Sequence, residues 1–174
     1  MGWTDPATVT VGTVAPAALW NTHVRDNLNS IGPKFQIRKA ADETVNNSST
    51  LQNDDHFSFA IAVSEAWVVQ LHAVVSQASA TPGLKWTWTV PAGATGHMWG
   101  AAHVPASTLQ TIARTTITTT QNQGMGTGDT GLSIWAVVVN SSTAGTVQFQ
   151  WAQQTATAAN TILYTNSFLL AHRL

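Results

Sequence analysis

The sequence predicts an all-β fold: an antiparallel β-sandwich or jelly roll, preceded by an extended N-terminal arm and one short α-helix. From residue 34 onward, apolar residues alternate with polar or small ones in several short runs, as in half-buried strands. Turn-forming clusters of Gly, Pro, Asn and Ser separate these runs at fairly regular intervals. Apolar residues recur at helical spacing only before residue 34. We therefore divide the chain into an N-terminal arm and helix, 1–33, and a β-sandwich domain, 34–174.

The N-terminal region contains the one predicted helix, from Pro16 to Ile31, after an extended stretch up to Val14. Pro16 suits the first turn of a helix, where its missing N–H is not needed, and Gly32–Pro33 predicts the end. The apolar residues of this helix share one face at helical spacing: Leu19 or Trp20, Val24, Leu28 and Ile31. The sequence thus predicts an arm followed by a short amphipathic helix.

Four runs in the second region place large apolar residues at alternate positions, and we expect those residues to face the core. These runs are Phe57–Val63, Trp67–Val75, Leu84–Val90 and Val147–Trp151. Leu132–Val139 is apolar on both faces, which indicates a central strand or one buried at a subunit contact. Further strands are predicted at 34–39, 97–103, 108–119 and 161–172. Short strands at this spacing, with no helical run between them, indicate a sandwich or jelly roll.

Most of the eight tryptophans fall into two groups. Those in phase with the inward apolar residues, and hence expected in the core, are Trp67, Trp86, Trp88 and Trp151. Trp3 and Trp20 instead lie in the arm and the helix, which are too short to fold alone. We expect these two to dock onto a partner, with packing against the chain's own sheet as the alternative.

Charged residues make up only 9% of the chain, against about 25% in ordinary soluble domains. The 7 basic and 8 acidic side chains give a formal net charge of -1. A chain with so little basic charge is not expected to bind nucleic acid or an anionic membrane surface. The N-terminus lacks the basic and apolar stretches of a signal peptide, so we expect synthesis in a cytoplasm without secretion. The sequence has no cysteine, which excludes disulfides and thiolate metal sites.

Candidate metal ligands and catalytic acids are few and poorly placed. His97 and His103 are about 20 Å apart along a straight strand, which is too far to share an ion. His72 falls on the polar face of a strand and is expected at the surface or at an interface. Asp42–Glu43 and Asp54–Asp55 are paired carboxylates, as glycoside hydrolysis requires, but both pairs lie in turn-rich segments, where acids usually cap turns.

Phosphate-binding and nucleophile motifs are also missing. The glycine-rich segment Gly124–Asp129 lacks the lysine and the following helix of a phosphate-binding loop, so we expect a mobile hairpin loop there. No serine lies in a nucleophile elbow. We therefore predict no catalytic residue, no metal site and no cofactor.

A motif in the N-terminal region, Leu19–Leu28, reads Leu-Trp-Asn-Thr-His-Val-Arg-Asp-Asn-Leu. Together with Trp3, Pro6 and Val9–Val14 before it, this motif resembles the opening of many tailed-bacteriophage virion proteins. Later blocks at 46–57, 144–154, 161–163 and 167–174 are similar as well, whereas 80–130 is the least familiar part. The resemblance therefore spans most of the chain.

The resemblance implies a non-enzymatic structural protein of the virion, a β-sandwich that forms homotrimers and is attached to the particle by its N-terminal segment. The anchoring residues that it implies are Trp3, Leu19, Trp20, Val24, Arg25, Asp26, Leu28 and Ile31. Its partners would be further copies of itself and the major capsid or tail proteins, and it would be synthesised in the host bacterial cytoplasm before it joins the virion.

Tail fibres with this opening usually continue into longer shafts, so we expect a capsid decoration or minor capsid protein, with a small tail or tail-fibre protein as the alternative. A carbohydrate-binding module that recognises host surface glycans is an alternative of another class. That alternative predicts solvent-exposed, coplanar tryptophans rather than tryptophans in phase with the core.

Overall fold

The structure, a computed structural model, describes residues 4–30, 34–105 and 109–174. Within these ranges the chain forms an N-terminal helical segment followed by 12 strands, so the predicted all-β fold with an arm and a short helix is confirmed. None of the helical residues in these ranges belongs to a helix that is both long and apolar enough to cross a membrane.

The strands form two antiparallel sheets. They are β1 (Lys34–Arg38), β2 (Glu43–Val45), β3 (Gln52–Ile61), β4 (Ala66–Gln77), β5 (Leu84–Thr89), β6 (Thr95–His103), β7 (Gln110–Thr116), β8 (Gln121–Gln123), β9 (Gly128–Val139), β10 (Gly145–Gln153), β11 (Thr161–Leu163) and β12 (Phe168–Arg173). The larger sheet has the order β1-β12-β4-β9-β6-β7, with β11 pairing to both β2 and β4, and the smaller has the order β3-β10-β5-β8. Successive strands such as β3 and β4 lie in different sheets, so the chain crosses the sandwich repeatedly, as in a jelly roll.

The core contains the residues that the alternation places inward. The tryptophans expected there are at most 1% exposed, which confirms the prediction for Trp67, Trp86, Trp88 and Trp151. Phe149 of β10 lies among them, with its ring centroid 5.1 Å from that of Trp88, 5.9 Å from that of Trp86 and 6.5 Å from that of Phe57. Edge and tilted contacts of this kind are the favoured arrangements of aromatic rings.

Strand β9, which contains Leu132–Val139, lies between β4 and β6 in the larger sheet, so the prediction of a central strand is confirmed. The backbones of β6 and β9 approach closely at two glycines of β6. A Cβ atom at Gly96 would lie 2.0 Å from the carbonyl oxygen of Val137, and one at Gly100 would lie 2.2 Å from that of Ser133. Only glycine therefore fits at these two positions.

Several strand boundaries differ from the prediction. Val63 is not inward, because β3 ends at Ile61 and leaves Val63 51% exposed. The strand predicted at 108–119 is β7, which ends at Thr116 where the chain turns; residue 108 lies outside the described residues. The strand predicted at 161–172 is two strands, β11 and β12, because the chain turns between them with a positive φ of 65° at Asn166. Strands β2 and β8 are not predicted, since three residues are too few to show an alternation.

The helical segment covers most of the predicted range. It is α-helical at Ala17–Trp20 and Asn27–Ser30 and π-helical at Asn21–Asp26. The sequence does not predict the wider π turn, because over so short a stretch its apolar spacing also fits the 3.6 residues per turn of an α-helix. The predicted end at Gly32–Pro33 lies outside the described residues.

Candidate assembly surfaces

The predicted anchoring residues lie on the helical segment, and most of their apolar side chains are exposed. The exposed ones are Trp20 at 60%, Val24 at 41% and Leu28 at 63%. Leu19 is half-buried. A groove of about 250 Å³ is lined by Leu19, Trp20 and Val24 together with arm residues such as Val9. Trp3 and Ile31 lie outside the described residues. The helical segment thus presents an apolar surface that the described chain itself does not cover.

Asn27 holds the arm against the helical segment. Its Nδ2 donates a hydrogen bond to the carbonyl oxygen of Thr4 at 2.8 Å, and the N–H of Thr4 donates to its Oδ1 at 2.9 Å. Asn27 is buried, and one amide side chain satisfies both backbone groups of Thr4. Asn27 is not among the predicted anchoring residues, although it closes the Arg-Asp-Asn part of the N-terminal motif.

Arg25 and Asp26 pair with each other. The Nε of Arg25 donates a hydrogen bond to the Oδ1 of Asp26 at 2.8 Å. This hydrogen bond lowers the pKa of Asp26 and raises the pKa of Arg25. Both side chains are accessible to solvent, so the pair adds little to stability and remains available to a partner.

A second surface is the outer face of the larger sheet, which we define as the outward side chains of its four central strands. The burial of alternate residues along β4, β6, β9 and β12 identifies these side chains. Only one of them, Asp129, is Asp, Glu, Lys or Arg. The outward side chains are Ala66, Val68, Gln70, His72, Val74, Ser76, Thr95, His97, Trp99, Ala101, His103, Asp129, Gly131, Ser133, Trp135, Val137, Val139, Phe168, Leu170 and His172. A face of this extent with a single charge agrees with the low charge of the whole chain.

An aromatic row crosses the outer face. The ring centroid of His72 lies 5.0 Å from that of Phe168 and 5.9 Å from that of Trp135. Trp135 is in turn the cross-strand partner of Trp99. His72 Nδ1 also lies 3.2 Å from Ser133 Oγ. The prediction that His72 lies on the polar, surface side of its strand is therefore confirmed, and the structure adds its aromatic neighbours.

Trp99 and Trp135 are the two tryptophans for which no position was predicted from the sequence. Both are out of phase with the inward residues of their strands, and this pattern could have placed them on the outer face. Trp99 is 40% exposed, whereas Trp135 is half-buried between its neighbours. A groove of about 450 Å³ lies near the end of β9, lined by His97, Val137 and Val139.

Histidines and carboxylates do not converge on a metal site in the ranges 4–30, 34–105 and 109–174: no group of three or more is placed to hold an ion. His97 and His103 both face outward on β6 and are exposed. The glycine-rich segment Gly124–Asp129 is a loop only up to Thr127, because β9 begins at Gly128.

The prediction that both acidic pairs lie in turns is wrong. Glu43 belongs to β2 and Asp54 to β3, and both converge on Lys39, which follows β1 and is completely buried. The Nζ of Lys39 lies 2.6 Å from Glu43 Oε2 and 2.7 Å from Asp54 Oδ2. Asp55 points to the opposite face of the strand and is exposed, while Asp42 lies in the connection between β1 and β2.

Glu65, in the turn between β3 and β4, binds three donors. They are the backbone N–H of Ala62 at 2.8 Å, Trp67 Nε1 at 3.1 Å and Arg173 NH1 at 3.0 Å. Burial acts to raise the pKa of Glu65, but these hydrogen bonds outweigh it and hold the pKa below its ordinary value. Several of the few charged side chains are thus used in internal ion pairs rather than on a solvated surface.

Comparison with known proteins finds only weak similarities to solved structures. No family model and no curated protein matches the chain. Among solved structures, the chain is similar to the Eiger TNF from S. frugiperda, with 7% identity, 82% of this chain and 93% of that chain covered, and a TM-score of 0.40. It is also similar to a structure of the infectious bursal disease virus Gx strain (9% identity, 81% and 39% covered, TM-score 0.24). The T13 particle of that virus is similar too, with 12% identity, 82% of this chain and 38% of that chain covered, and a TM-score of 0.27. Similarities of this size carry no argument about function; the strand order alone defines the chain as a jelly-roll β-sandwich.

Proposed function

We propose that this chain is a non-enzymatic structural protein of a tailed-bacteriophage virion, attached to the particle by its N-terminal region and self-associated as a homotrimer through its outer face. The observation that carries the proposal is the presence of two uncovered apolar surfaces, one on the helical segment and one on the sandwich. The resemblance of Leu19–Leu28 to the openings of phage virion proteins supports the choice of particle. A capsid decoration or minor capsid protein is the favoured position, and a small tail or tail-fibre protein is the alternative.

The outer face is suited to contact with a second copy of the chain. Its exposed large apolar side chains, each 40–46% accessible, are Val74, Trp99, Val139 and Phe168. Removal of apolar surface from water contributes about 25 cal/mol per Å². Apart from Asp129, at one end of β9, the polar members of the face are neutral, so they cost less to desolvate than Lys or Glu would and can hydrogen-bond across a joint. Self-association of this face therefore has only one charge to pair or to leave in solvent.

The helical segment is suited to a protein partner. Tryptophan is among the residues that most often dominate binding energy at protein interfaces, and Trp20 is the most exposed aromatic side chain of the helical segment. The formal net charge of -1 offers no electrostatic attraction to nucleic acid or to an anionic bilayer. A shell or tail protein with a complementary apolar groove is the partner that fits these features.

Attachment is tested by adding the purified chain to particles assembled without it and measuring the bound fraction by sedimentation. Trp20→Asp and Leu28→Asp are expected to reduce binding strongly, because each places a charge in the apolar contact. Asn21→Asp is the matched control, since it adds the same charge at an exposed position of the same segment. Equal binding of all three variants and the unchanged chain would refute the anchoring role. Electron cryomicroscopy of particles decorated with the unchanged chain shows whether the protein lies on the head or on the tail.

Self-association is tested by sedimentation velocity on the purified chain. The unchanged chain is expected to be a trimer, and Val74→Lys and Trp99→Lys are expected to shift it towards monomer, because a buried unpaired charge is costly. Ala60→Lys is the matched control, since Ala60 is an exposed position of the smaller sheet. A monomeric unchanged chain at tens of micromolar, or trimers in every variant, would count against this part of the proposal.

A second candidate function is binding of host surface glycans, and one observation favours it. Trp99 and Trp135 are cross-strand partners on an exposed face, as an aromatic platform for sugar rings requires. Titration with host surface polysaccharide should then show binding by the unchanged chain and none by Trp99→Ala. Binding without any effect of Trp99→Ala, or no binding, would remove this candidate.

A further inference from the structure

The ammonium group of Lys39 is held between two carboxylates in the interior of the sandwich. Its side chain is 0% exposed, as is that of Asp54, while that of Glu43 is 10% exposed. The ring centroid of Phe57 lies 5.7 Å from Nζ and closes another side of the cluster. Removing such groups from water is expensive, and a buried ion pair often stabilises a fold no better than apolar residues would. Plain stabilisation is thus a weak explanation for three ionisable groups at this place.

The carboxyl group of Asp54 is held with its two oxygens in different surroundings. Oδ2 faces Lys39 Nζ at 2.7 Å. Oδ1 accepts hydrogen bonds from two consecutive backbone N–H groups, those of His56 at 2.9 Å and Phe57 at 2.8 Å. Two fixed donors on one carboxyl oxygen are the arrangement that stabilises negative charge when a nucleophile adds to the carbon.

Glu43 is oriented as an acid–base group towards the same nitrogen. Its Oε2 accepts from Lys39 Nζ at 2.6 Å and from the N–H of Asp55 at 3.2 Å. Its Oε1 accepts from Gln52 Nε2 at 2.7 Å. A carboxylate within hydrogen-bond reach of the proton that it must take, and fixed by second partners, meets the geometric requirement for general base catalysis.

We propose that Lys39 and Asp54 condense within the folded chain to an amide, an isopeptide bond, with Glu43 as the catalytic acid–base residue. A proton first passes from Lys39 Nζ to Asp54 Oδ2, so that a neutral amine faces a neutral carboxylic acid. The Nζ lone pair then attacks Asp54 Cγ, and Oδ1 takes the negative charge under the N–H groups of His56 and Phe57.

The intermediate collapses with loss of water. Glu43 Oε2 takes a second proton from Nζ and passes it to Oδ2, the Cγ–Oδ2 bond breaks, and one water molecule leaves. The nitrogen keeps one hydrogen, Glu43 returns to its carboxylate form, and the positive and negative charges of the reacting pair disappear together. No oxidant, metal or cofactor takes part. Enclosure of both groups at contact distance supplies the proximity that makes such a condensation possible.

The bond would close the chain between residues 39 and 54 and so join the end of β1 to β3 across the two sheets. A covalent link of this kind restricts the unfolded chain and thereby stabilises the fold, as a disulfide does. A chain without cysteine has no disulfide with which to do so.

The experiment is an intact mass measurement on the purified full-length chain, after allowance for loss of the initiator methionine. The expected mass is lower than the sequence mass by one water, about 18 Da. Trypsin should then fail to cleave after Lys39, giving a single peptide up to Lys85, the next basic residue. Further cleavage of that peptide after Glu43 should leave two fragments that remain joined.

Two variants separate the bond from a purely structural ion cluster. Glu43→Gln keeps both reacting groups but removes the base, and Lys39→Arg keeps a cation but removes the nucleophile. Both are expected to retain the full sequence mass, with folding of each checked by circular dichroism. An unchanged chain of full sequence mass after incubation at neutral pH would overturn the proposal. A chain that has lost one water at Asp54 but is still cleaved by trypsin after Lys39 would also overturn it, because that combination indicates a succinimide rather than an isopeptide bond. Neither result bears on attachment or self-association.

Discussion

Replacing Phe149 with alanine tests whether the core between the two sheets is packed as described. Phe149 is 0% exposed, and its ring contacts those of Phe57, Trp86 and Trp88. Phe57 belongs to β3 and the two tryptophans to β5, which are the strands on either side of β10. Truncation to alanine removes most of a buried ring and leaves a cavity that two rigid indoles fill poorly. Substitutions of this type cost about 3–5 kcal/mol of the free energy of unfolding.

The aromatic contacts place this substitution towards the upper part of that range. Each such ring pair is worth about 0.5–1.5 kcal/mol beyond the area that it buries, and Phe149 makes three of them. Phe149→Leu retains much of the volume and is expected to cost about 1 kcal/mol. Val63→Ala is the matched control at a 51% exposed position, with an expected cost below about 0.5 kcal/mol.

The assay is urea unfolding followed by far-UV circular dichroism, at one protein concentration because self-association adds to apparent stability. The expected order of unfolding midpoints is the unchanged chain and Val63→Ala first, then Phe149→Leu, then Phe149→Ala. A loss below about 1.5 kcal/mol for Phe149→Ala, or an equal loss for Val63→Ala, would show that Phe149 is not at the centre of a close-packed core.

Three further predictions concern other parts of the sandwich. Glu65→Gln should lower the free energy of unfolding by about 1–2 kcal/mol at pH 7, because charged hydrogen bonds are lost. The pKa of Glu65 is lowered in the folded state, so this stabilisation is complete above the ordinary pKa of Glu65 and is lost as the pH falls through its folded pKa. In acid unfolding titrations, the difference in stability between the variant and the unchanged chain should therefore shrink below about pH 4. A difference that stays constant would contradict the ion pair with Arg173. Gly100→Ala should lower the thermal midpoint and expose amides of β6 to hydrogen exchange, since its Cβ would meet the Ser133 carbonyl oxygen at 2.2 Å; wild-type exchange would refute the close approach. Gln153→Met should cost about 2–4 kcal/mol in urea unfolding, because the buried amide accepts from two backbone N–H groups and donates to a carbonyl oxygen; a cost under about 0.5 kcal/mol would mean that water replaces it.

The strands and most of the core could be predicted from the sequence. The burial of Trp86 and Trp88 and the half-exposed position of His72 follow from a two-residue alternation, which the backbone of a strand imposes on any side chains. The helical segment, 17–30, also lies within the range of the predicted helix. Its π turn at Asn21–Asp26 could not be predicted, because an apolar spacing of three and four residues fits both kinds of turn over so short a stretch.

The two surfaces of the proposed function differ in how far the sequence defined them. The exposed apolar residues of the helical segment, Trp20 and Leu28, lie within ten residues of each other and were identified from a local motif. The outer face was only suggested, by a strand that is apolar on both sides. Its aromatic row requires Phe168, His72 and Trp135 to meet, and these belong to three strands that are far apart in the chain.

The sequence by itself determined which residues point inward, which segment is helical and where the chain turns, because these depend on neighbours along the chain. The tertiary structure decided which strands lie side by side. It brought Lys39, which follows β1, together with Glu43 of β2 and Asp54 of β3, two acids that the turn-like composition had indicated as caps. Strand order depends on pairing over the whole chain, and no local pattern encodes it.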